Sequence, residues 1–197
     1  MEYTDCYICG ENGPIRVNKN NVIVIDTETT GLPDEFHSVS VIEHEILQLV
    51  MIDGTGSILI NELFKPVNNI TWPKAQIVHG IGPEDVLDKS AITNFTKNIQ
   101  FIVDSANLIV AYNLQFDLFF LRAIGITFSG KYYYDVMHEF ARKHANNRRY
   151  GSGKFVTLKK CAAYYGYRLA DAHNAEADAR ATLHCFLKMQ GEDPLNG

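Results

Sequence analysis

Short apolar runs separated by polar turn residues predict the strands of this chain. The run at 21–27 is rich in β-branched residues and ends in acidic and threonine residues, which is typical of a buried strand. Asp53 and Gly54 supply turn chemistry between two later runs and predict a hairpin there. The predicted strands cover residues 21–27, 46–53, 57–64, 107–111 and 131–134.

Apolar residues spaced three and four apart predict helices, mostly in the second half of the chain. The predicted helices cover residues 84–88, 92–104, 115–124, 135–145, 156–165 and 175–190, whereas residues 66–73 are expected to be extended. Three meandering strands followed by alternating helices and strands indicate an α/β fold. We expect a mixed five-stranded sheet, an antiparallel meander plus parallel strands, flanked by helices.

The composition is that of one globular domain: 197 residues, 46% hydrophobic and 21% charged. We expect a core at 21–190, an N-terminal extension at 1–20 and a tail at 191–197. No stretch approaches the ~18 consecutive apolar residues of a membrane span, and the N-terminus lacks a secretory pattern. Four cysteines are too few for a disulfide scaffold. A reducing, cytoplasmic setting is therefore expected.

Charge is distributed unevenly along the chain. Residues 1–62 hold 11 acidic and 2 basic side chains, while the remainder holds 12 acidic and 16 basic ones. The segment 140–170 has no acidic residue and eight basic ones: Arg142, Lys143, Arg148, Arg149, Lys154, Lys159, Lys160 and Arg168. This division suits a cation site beside a phosphate-binding surface, although an ordinary solvated surface would also have this pattern.

Asp26 and Glu28 stand two positions apart at the end of a predicted strand, so their side chains point to the same face. Neighbouring carboxylates repel each other unless a cation lies between them, and Mg²⁺ or Mn²⁺ prefers such oxygen ligands. Asp117 falls in the first turn of a predicted helix, where a carboxylate also stabilises the helix. Taken singly, Asp26 and Glu28 are better explained by a solvated strand end, and a helix cap explains Asp117 as well as a metal site does.

The segment His173-Asn-Ala-Glu-Ala-Asp178 adds a histidine and a fourth carboxylate. A spacing of five does not place two residues on one face of a regular helix. The two side chains can meet if His173 lies in the loop before the helix and Asp178 lies inside it. The pattern therefore predicts a mobile base beside a rigid ligand.

The ordered set of Asp26, Glu28, Asp117, His173 and Asp178 resembles the DEDDh, or DnaQ-like, family of 3′–5′ exonucleases. The sequence flanking these residues supports the resemblance. The matching stretches are DTETTGL at 26–32, VHGI at 78–81, NLQFDLFFL at 113–121 and HNAEADARAT at 173–182. Asp135 fits a further recurrent acidic position. The resemblance covers roughly residues 21–190.

The resemblance implies a ribonuclease H-like fold and hydrolysis assisted by two Mg²⁺ or Mn²⁺ ions, about 3.5–4 Å apart. Asp26 would bridge both ions, Glu28 and Asp178 would hold the ion carrying the attacking water, and Asp117 would orient the other. His173 would act as the general base. The products would be nucleoside 5′-monophosphates released from the 3′ end, preferably of single-stranded DNA.

The resemblance also implies which residues contact the substrate. It assigns this role to Thr29, Thr30, Leu32, His79, Ile81, Asn113 and Phe116. Leu32 would act as a wedge beside the terminal base, and Thr29 and Thr30 would lie next to the terminal sugar. Core packing is the alternative for the apolar members of the set. As a separate hypothesis, Arg148, Arg149 and Lys154 would contact phosphates upstream of the scissile bond.

Three alternatives remain open at this point. An exoribonuclease of the ribonuclease T or oligoribonuclease type has the same five residues, and Gln48 stands where relatives often carry glutamate. A catalytically silent nucleic-acid-binding subunit or a module that docks a DNA polymerase or helicase belongs to another class of function.

Cys6 and Cys9 form half of a zinc-knuckle pattern, and without a second cysteine pair no structural zinc is expected.

Overall fold

A computed structural model of the chain describes residues 3–6, 15–33, 43–144, 156–170 and 172–191. Two short strands, β1 (Tyr3–Cys6) and β2 (Ile15–Asn18), pair antiparallel at the N-terminus. Val17 of β2 is buried in the core of the domain. At least this side chain of the predicted extension therefore packs against the rest of the protein.

The central sheet has five strands in the order β5-β4-β3-β6-β7. β3, β4 and β5 form the antiparallel meander, and β6 and β7 continue the sheet parallel to β3. This arrangement confirms the predicted mixed sheet. The strands are β3 (Val22–Thr29), β4 (Ile46–Asp53), β5 (Ile58–Leu63), β6 (Leu108–Ala111) and β7 (Tyr132–Asp135).

Six α-helices lie among the described residues, and five of them were predicted. They are α1 (Pro73–His79), α2 (Thr96–Ser105), α3 (Leu114–Ala123), α4 (Val136–Lys143), α5 (Leu158–Tyr164) and α6 (Ala175–Met189). The predicted helix at 84–88 is a 3-10 turn at Pro83–Val86, and another 3-10 turn at Ile92–Phe95 precedes α2.

The sequence prediction missed α1. Its apolar residues Ile77 and Val78 are exposed, while the half-buried Ala75 and Gln76 are small and polar, respectively. The helix therefore has no apolar stripe toward the core, and hydrophobic spacing carries no signal for it.

The two faces of β3 are covered by different helices. Val22 and Val24 pack in one cluster with residues of α4, α5 and α6, while Ile23 and Ile25 pack in another with residues of α2 and α3. The strand is therefore buried on both sides, which explains its continuous apolar run.

The carboxyl end of β3 extends beyond its neighbour β6. The last residue pair between these parallel strands is Val24 with Val110. Residues 26–29 of β3 therefore project past β6, next to the point where the chain enters α3. Among the described residues, no helix is long and apolar enough to cross a membrane.

Candidate active site

Three carboxylates from two elements meet at the projecting end of β3. Asp26 and Glu28 continue the alternation of Val22 and Val24, so they face the helix layer that contains α6. Asp178 lies in the first turn of α6. One carboxylate oxygen from each of Asp26, Glu28 and Asp178 lies within 4.8 Å of the other two. The structure thus brings together three of the four predicted metal ligands directly.

The fourth carboxylate, Asp117, comes from the opposite layer. It lies in the first turn of α3 and is only 2% exposed. The Thr27 hydroxyl donates a hydrogen bond of 2.8 Å to Asp117 Oδ1. Because β6 ends early, α3 begins beside β3 and Asp117 reaches the strand that carries Asp26.

All four carboxylates are harder to ionise than ordinary ones. Burial, reinforced by Asp117, Glu28 and Asp178, raises the pKa of Asp26 well above its usual range. Burial and the charges of Asp178 and Asp117 raise the pKa of Glu28 to about 8. Burial also raises the pKa of Asp117 and of Asp178, against the opposing effect of hydrogen bonds from Thr27 and His173. The charge of His173 also opposes the rise at Asp178.

A divalent cation fits this cluster. Asp178 Oδ1 is buried and has no hydrogen-bond partner, whereas Oδ2 accepts one from the backbone N–H of His173 at 3.0 Å. Buried polar atoms are rarely left unsatisfied, and ionised carboxylates at this spacing need a counter-charge. Hard oxygen donors of this kind favour Mg²⁺ or Mn²⁺.

His173 lies at the predicted place, in the loop immediately before α6. Its backbone has a positive φ of 69°, and the next residue, Asn174, is the N-cap of the helix. The imidazole is exposed to solvent. The backbone bond to Asp178 therefore anchors the residue at the cluster and leaves its side chain accessible.

His79 links α1 to the end of β3. Its Nδ1 accepts a hydrogen bond from the Ile81 N–H at 3.1 Å, so the proton resides on Nε2, which donates to the Thr29 carbonyl at 3.1 Å. Burial lowers the pKa of His79, with the His173 charge acting in the same direction. Ile81 is half-buried and accepts a bond from the indole of Trp72 through its carbonyl.

The end of β3 and the loop after it contain two threonines with internal hydrogen bonds and one exposed leucine. The Thr29 hydroxyl donates to the Gly31 carbonyl at 2.7 Å. The Thr30 hydroxyl accepts a bond from the Glu45 N–H at 2.9 Å and donates to Asn69 Oδ1 at 3.1 Å. Leu32 is 73% exposed. The threonine hydroxyls stabilise the rim of the cluster, which is the chain from Thr29 to Leu32. Leu32 presents an apolar side chain to solvent.

Asn113 and Phe116 flank the entry into α3. Asn113 adopts a left-handed conformation with φ of 67°. Phe116 is half-buried, and its ring centroid lies 5.0 Å from that of Phe120. Asp135, the predicted further acidic position, accepts bonds from the first backbone N–H of α3 and from the His138 N–H in α4. It thus caps two helices.

Four residues considered in the sequence analysis lie outside the described part of the chain: Cys9, Arg148, Arg149 and Lys154. Cys6 is the last residue of β1.

The chain resembles known exonucleases over most of its length. The RNase T family model, described as Exonuclease, matches residues 23–186. The chain belongs to this exonuclease family. The exonuclease is 28% identical over 172 residues to the uncharacterised exonuclease CP81 of Escherichia phage 186, which covers 82% of this chain and 84% of the phage protein. Its motifs are of the DEDDh type.

Two solved structures share the fold of the exonuclease at lower sequence identity. Exonuclease X in complex with 5′ overhanging duplex DNA has a TM-score of 0.58 and 19% identity, and the match covers 88% of this chain and 95% of that one. A 3′-exonuclease that recognises the 3′ end of a histone mRNA stem-loop has a TM-score of 0.62 and 12% identity, covering 89% and 83%. The ribonuclease H-like fold is confirmed.

A polar network that the sequence analysis missed connects the sheet of the exonuclease to α6. Gln48 lies directly across from Glu28 and donates to Asn61 Oδ1 at 3.1 Å. Asn61 in turn donates to Glu176 Oε2 at 2.8 Å, and Arg180 pairs with Glu176 Oε1. Glu176 is two residues from Asp178. The network therefore holds the first turn of α6 against β4 and β5.

Thr27 is a positioning residue that the sequence analysis also missed. Replacing Thr27 by Val keeps the shape of the side chain but removes the hydroxyl that holds Asp117. Hydrogen bonds to charged groups contribute roughly 1.5–3 kcal/mol. We expect the Mg²⁺ concentration for half-maximal hydrolysis to rise about tenfold or more, with Thr27→Ser close to wild type. A metal titration of the hydrolysis rate measures this.

Thr55 provides the matched control for this substitution. Its hydroxyl also donates to a carboxylate, Asp53 Oδ1, but at the turn between β4 and β5. Thr55→Val should therefore leave the metal dependence unchanged. An equal shift in both valine variants would show that Thr27 acts only on general stability.

Proposed function

We propose that the protein is a metal-dependent 3′–5′ exonuclease that releases nucleoside 5′-monophosphates from the 3′ ends of nucleic acid, preferably single-stranded DNA. The observation that carries the proposal is the cluster of Asp26, Glu28 and Asp178 within 4.8 Å, with Asp117 behind it and His173 exposed beside it. Four carboxylates with raised pKa values, two of them buried and two half-buried, are an unstable arrangement unless they bind cations.

Two divalent cations would be held by these carboxylates. Asp26 is affected by the charges of the other three carboxylates and would contribute to both cation positions. Glu28 and Asp178 would complete one cation position, and Asp117 the other. Bound divalent cations lower the pKa of a coordinated water and neutralise charge on the phosphate.

His173 would accept the proton of the attacking water. Its backbone bond to Asp178 holds the residue within reach of the cluster, while the exposed imidazole is free to turn toward the substrate. A neutral imidazole can accept a proton from a water molecule.

The rim of the cluster would hold the terminal nucleotide. Leu32 offers an exposed apolar side chain for the terminal base. His79 holds α1 against the end of β3 through its hydrogen bond to the Thr29 carbonyl. Neither Thr29 nor Thr30 needs to contact the sugar through its hydroxyl, since both hydroxyls have intramolecular partners.

The preference for DNA over RNA rests on the amino-acid sequence of the motifs. DTETTGL and VHGI are closer to the proofreading branch of the family, which favours DNA. The structural relatives include one complex with duplex DNA and one enzyme for histone mRNA, so the fold serves both substrates.

A digestion time course tests the proposal. Single strands of DNA and RNA labelled at the 5′ end should shorten stepwise with Mg²⁺ or Mn²⁺ and remain intact with EDTA. A strand labelled at the 3′ end should release labelled mononucleotide first. Immediate release of 5′-terminal nucleotides, or digestion that persists in EDTA, would contradict the proposal. Faster loss of RNA than of DNA would favour the exoribonuclease alternative.

A further inference from the structure

The outer face of α5 combines positive charge with an aromatic ring. Lys159 and Lys160 are exposed in its first turn, and Tyr164 at its end is 43% exposed. The inner face is formed by Cys161 and Ala162, which are fully buried. Arg168 is exposed shortly after the helix. We call these four exposed residues (Lys159, Lys160, Tyr164 and Arg168) the α5 face.

Within the described ranges, the cations of the α5 face have no acidic partner. Among the described residues, none of the three cations takes part in an ion pair. The sequence from 140 to 170 contains no acidic residue at all. The face is therefore a positive surface on a protein of net charge −5, and a surface of this kind favours anionic partners.

Two observations limit the distance between the α5 face and the carboxylate end of the sheet. The Tyr112 hydroxyl donates a bond of 2.6 Å to the carbonyl of Val156, just before α5. Tyr112 directly follows β6 and precedes Asn113, the N-cap of α3. At the other end, Arg168 is five residues before His173, so their Cα atoms are at most about 18 Å apart. A strand leaving the carboxylates can reach the face within a few nucleotides.

We propose that the α5 face is an accessory binding surface for the strand being digested, on the 5′ side of the scissile phosphate. This inference rests on the proposed function, because it assumes that the 3′ end lies at the carboxylates. Lys159, Lys160 and Arg168 contact backbone phosphates, and Tyr164 stacks on a base. Such contacts tolerate any sequence, and they offset the repulsion between the phosphates and the acidic cluster.

Binding measurements on an inactive background test the proposal without requiring hydrolysis. The background is Asp26→Asn, and the probe is a fluorescent 20-nucleotide DNA strand. The triple variant Lys159→Gln/Lys160→Gln/Arg168→Gln should raise Kd about tenfold or more at 50 mM salt. It should also reduce the slope of log K against log salt by about 2, since each phosphate contact on a single strand contributes roughly 0.7. Tyr164→Leu should raise Kd about tenfold with an unchanged salt slope.

A charge-matched control excludes a general effect of net charge. Lys89→Gln/Lys97→Gln/Arg122→Gln removes three cations that lie between Pro83 and Ala123, away from the α5 face. This variant should bind the 20-nucleotide strand as tightly as the background. Equal losses in both triple variants, or wild-type binding by the α5 variant with an unchanged melting temperature, would overturn the proposal.

Short probes separate this inference from the proposed function. A dinucleotide occupies only the cleft, so the α5 substitutions should affect its binding far less than that of the 20-nucleotide strand. Equal losses for both lengths would place the α5 residues in the cleft and contradict an accessory surface. Digestion of the 20-nucleotide strand by the unmodified protein tests the proposed function alone. If that digestion fails while length-dependent binding persists, the proposed function is refuted and the α5 face remains a strand-binding surface without a scissile phosphate.

Discussion

Asparagine in place of Asp26 should abolish hydrolysis while leaving the protein folded. Asp26 lies among all the other carboxylates of the cluster, so its loss removes the ligand that both cation positions would share. Cation catalysis of this kind contributes several kcal/mol, and each 1.36 kcal/mol is a factor of ten. We expect the rate of nucleotide release to fall by about a thousandfold or more.

The same substitution should not destabilise the metal-free protein. The raised pKa of Asp26 means that its charge is unfavourable in the folded state. Removing that charge should leave the melting temperature at pH 8 equal to or above the wild-type value. Asp88→Asn, an exposed surface change, is the control and should retain full activity. Residual activity above a tenth of wild type would contradict the proposed role of Asp26.

Without metal, the protein should lose stability as the pH rises from 5.5 to 8. Carboxyl groups in an unfolded chain have pKa values of about 4, whereas in the folded protein the pKa of Glu28 is about 8 and that of Asp26 is also raised. Between these values the folded state binds more protons than the unfolded state. The free energy of unfolding therefore falls with pH, and the loss is complete above the folded-state pKa.

Divalent cations should reverse this loss. Mg²⁺ or Mn²⁺ at 100 times its Kd stabilises the folded state by about 2.7 kcal/mol. For a protein of this size that corresponds to a rise in melting temperature of roughly 5–10 °C. The rise should be larger at pH 8 than at pH 5.5, because protons compete with the cations at the lower pH.

Thermal melts at both pH values, with EDTA or with each cation at matched ionic strength, measure this effect. Glu28→Gln should flatten the pH dependence and reduce the response to cations. A melting temperature that rises between pH 5.5 and 8 in EDTA would show that the cluster is not a cation site. A melting temperature that does not change when Mg²⁺ or Mn²⁺ is added would show the same.

The sequence alone determined the parts of the site that depend on local geometry. Asp26 and Glu28 share a face because strand residues alternate, and Asp117 lies in the first turn of α3 as its position after an apolar strand predicted. His173 precedes the N-cap of α6, and Asp178 follows inside the helix. Each of these statements concerns residues a few positions apart, and hydrophobic spacing is informative at that range.

Only the tertiary structure decided which distant residues meet. Thr27 and Asp117 are 90 positions apart, and Asn61 and Glu176 are 115 positions apart. These pairs form because β6 ends short of β3 and because α6 packs across β4, and neither fact has a local signature. Hydrophobic spacing could not predict the helix α1 either, because its apolar residues face solvent. Polar contacts across layers depend on packing, and packing follows from the whole chain at once.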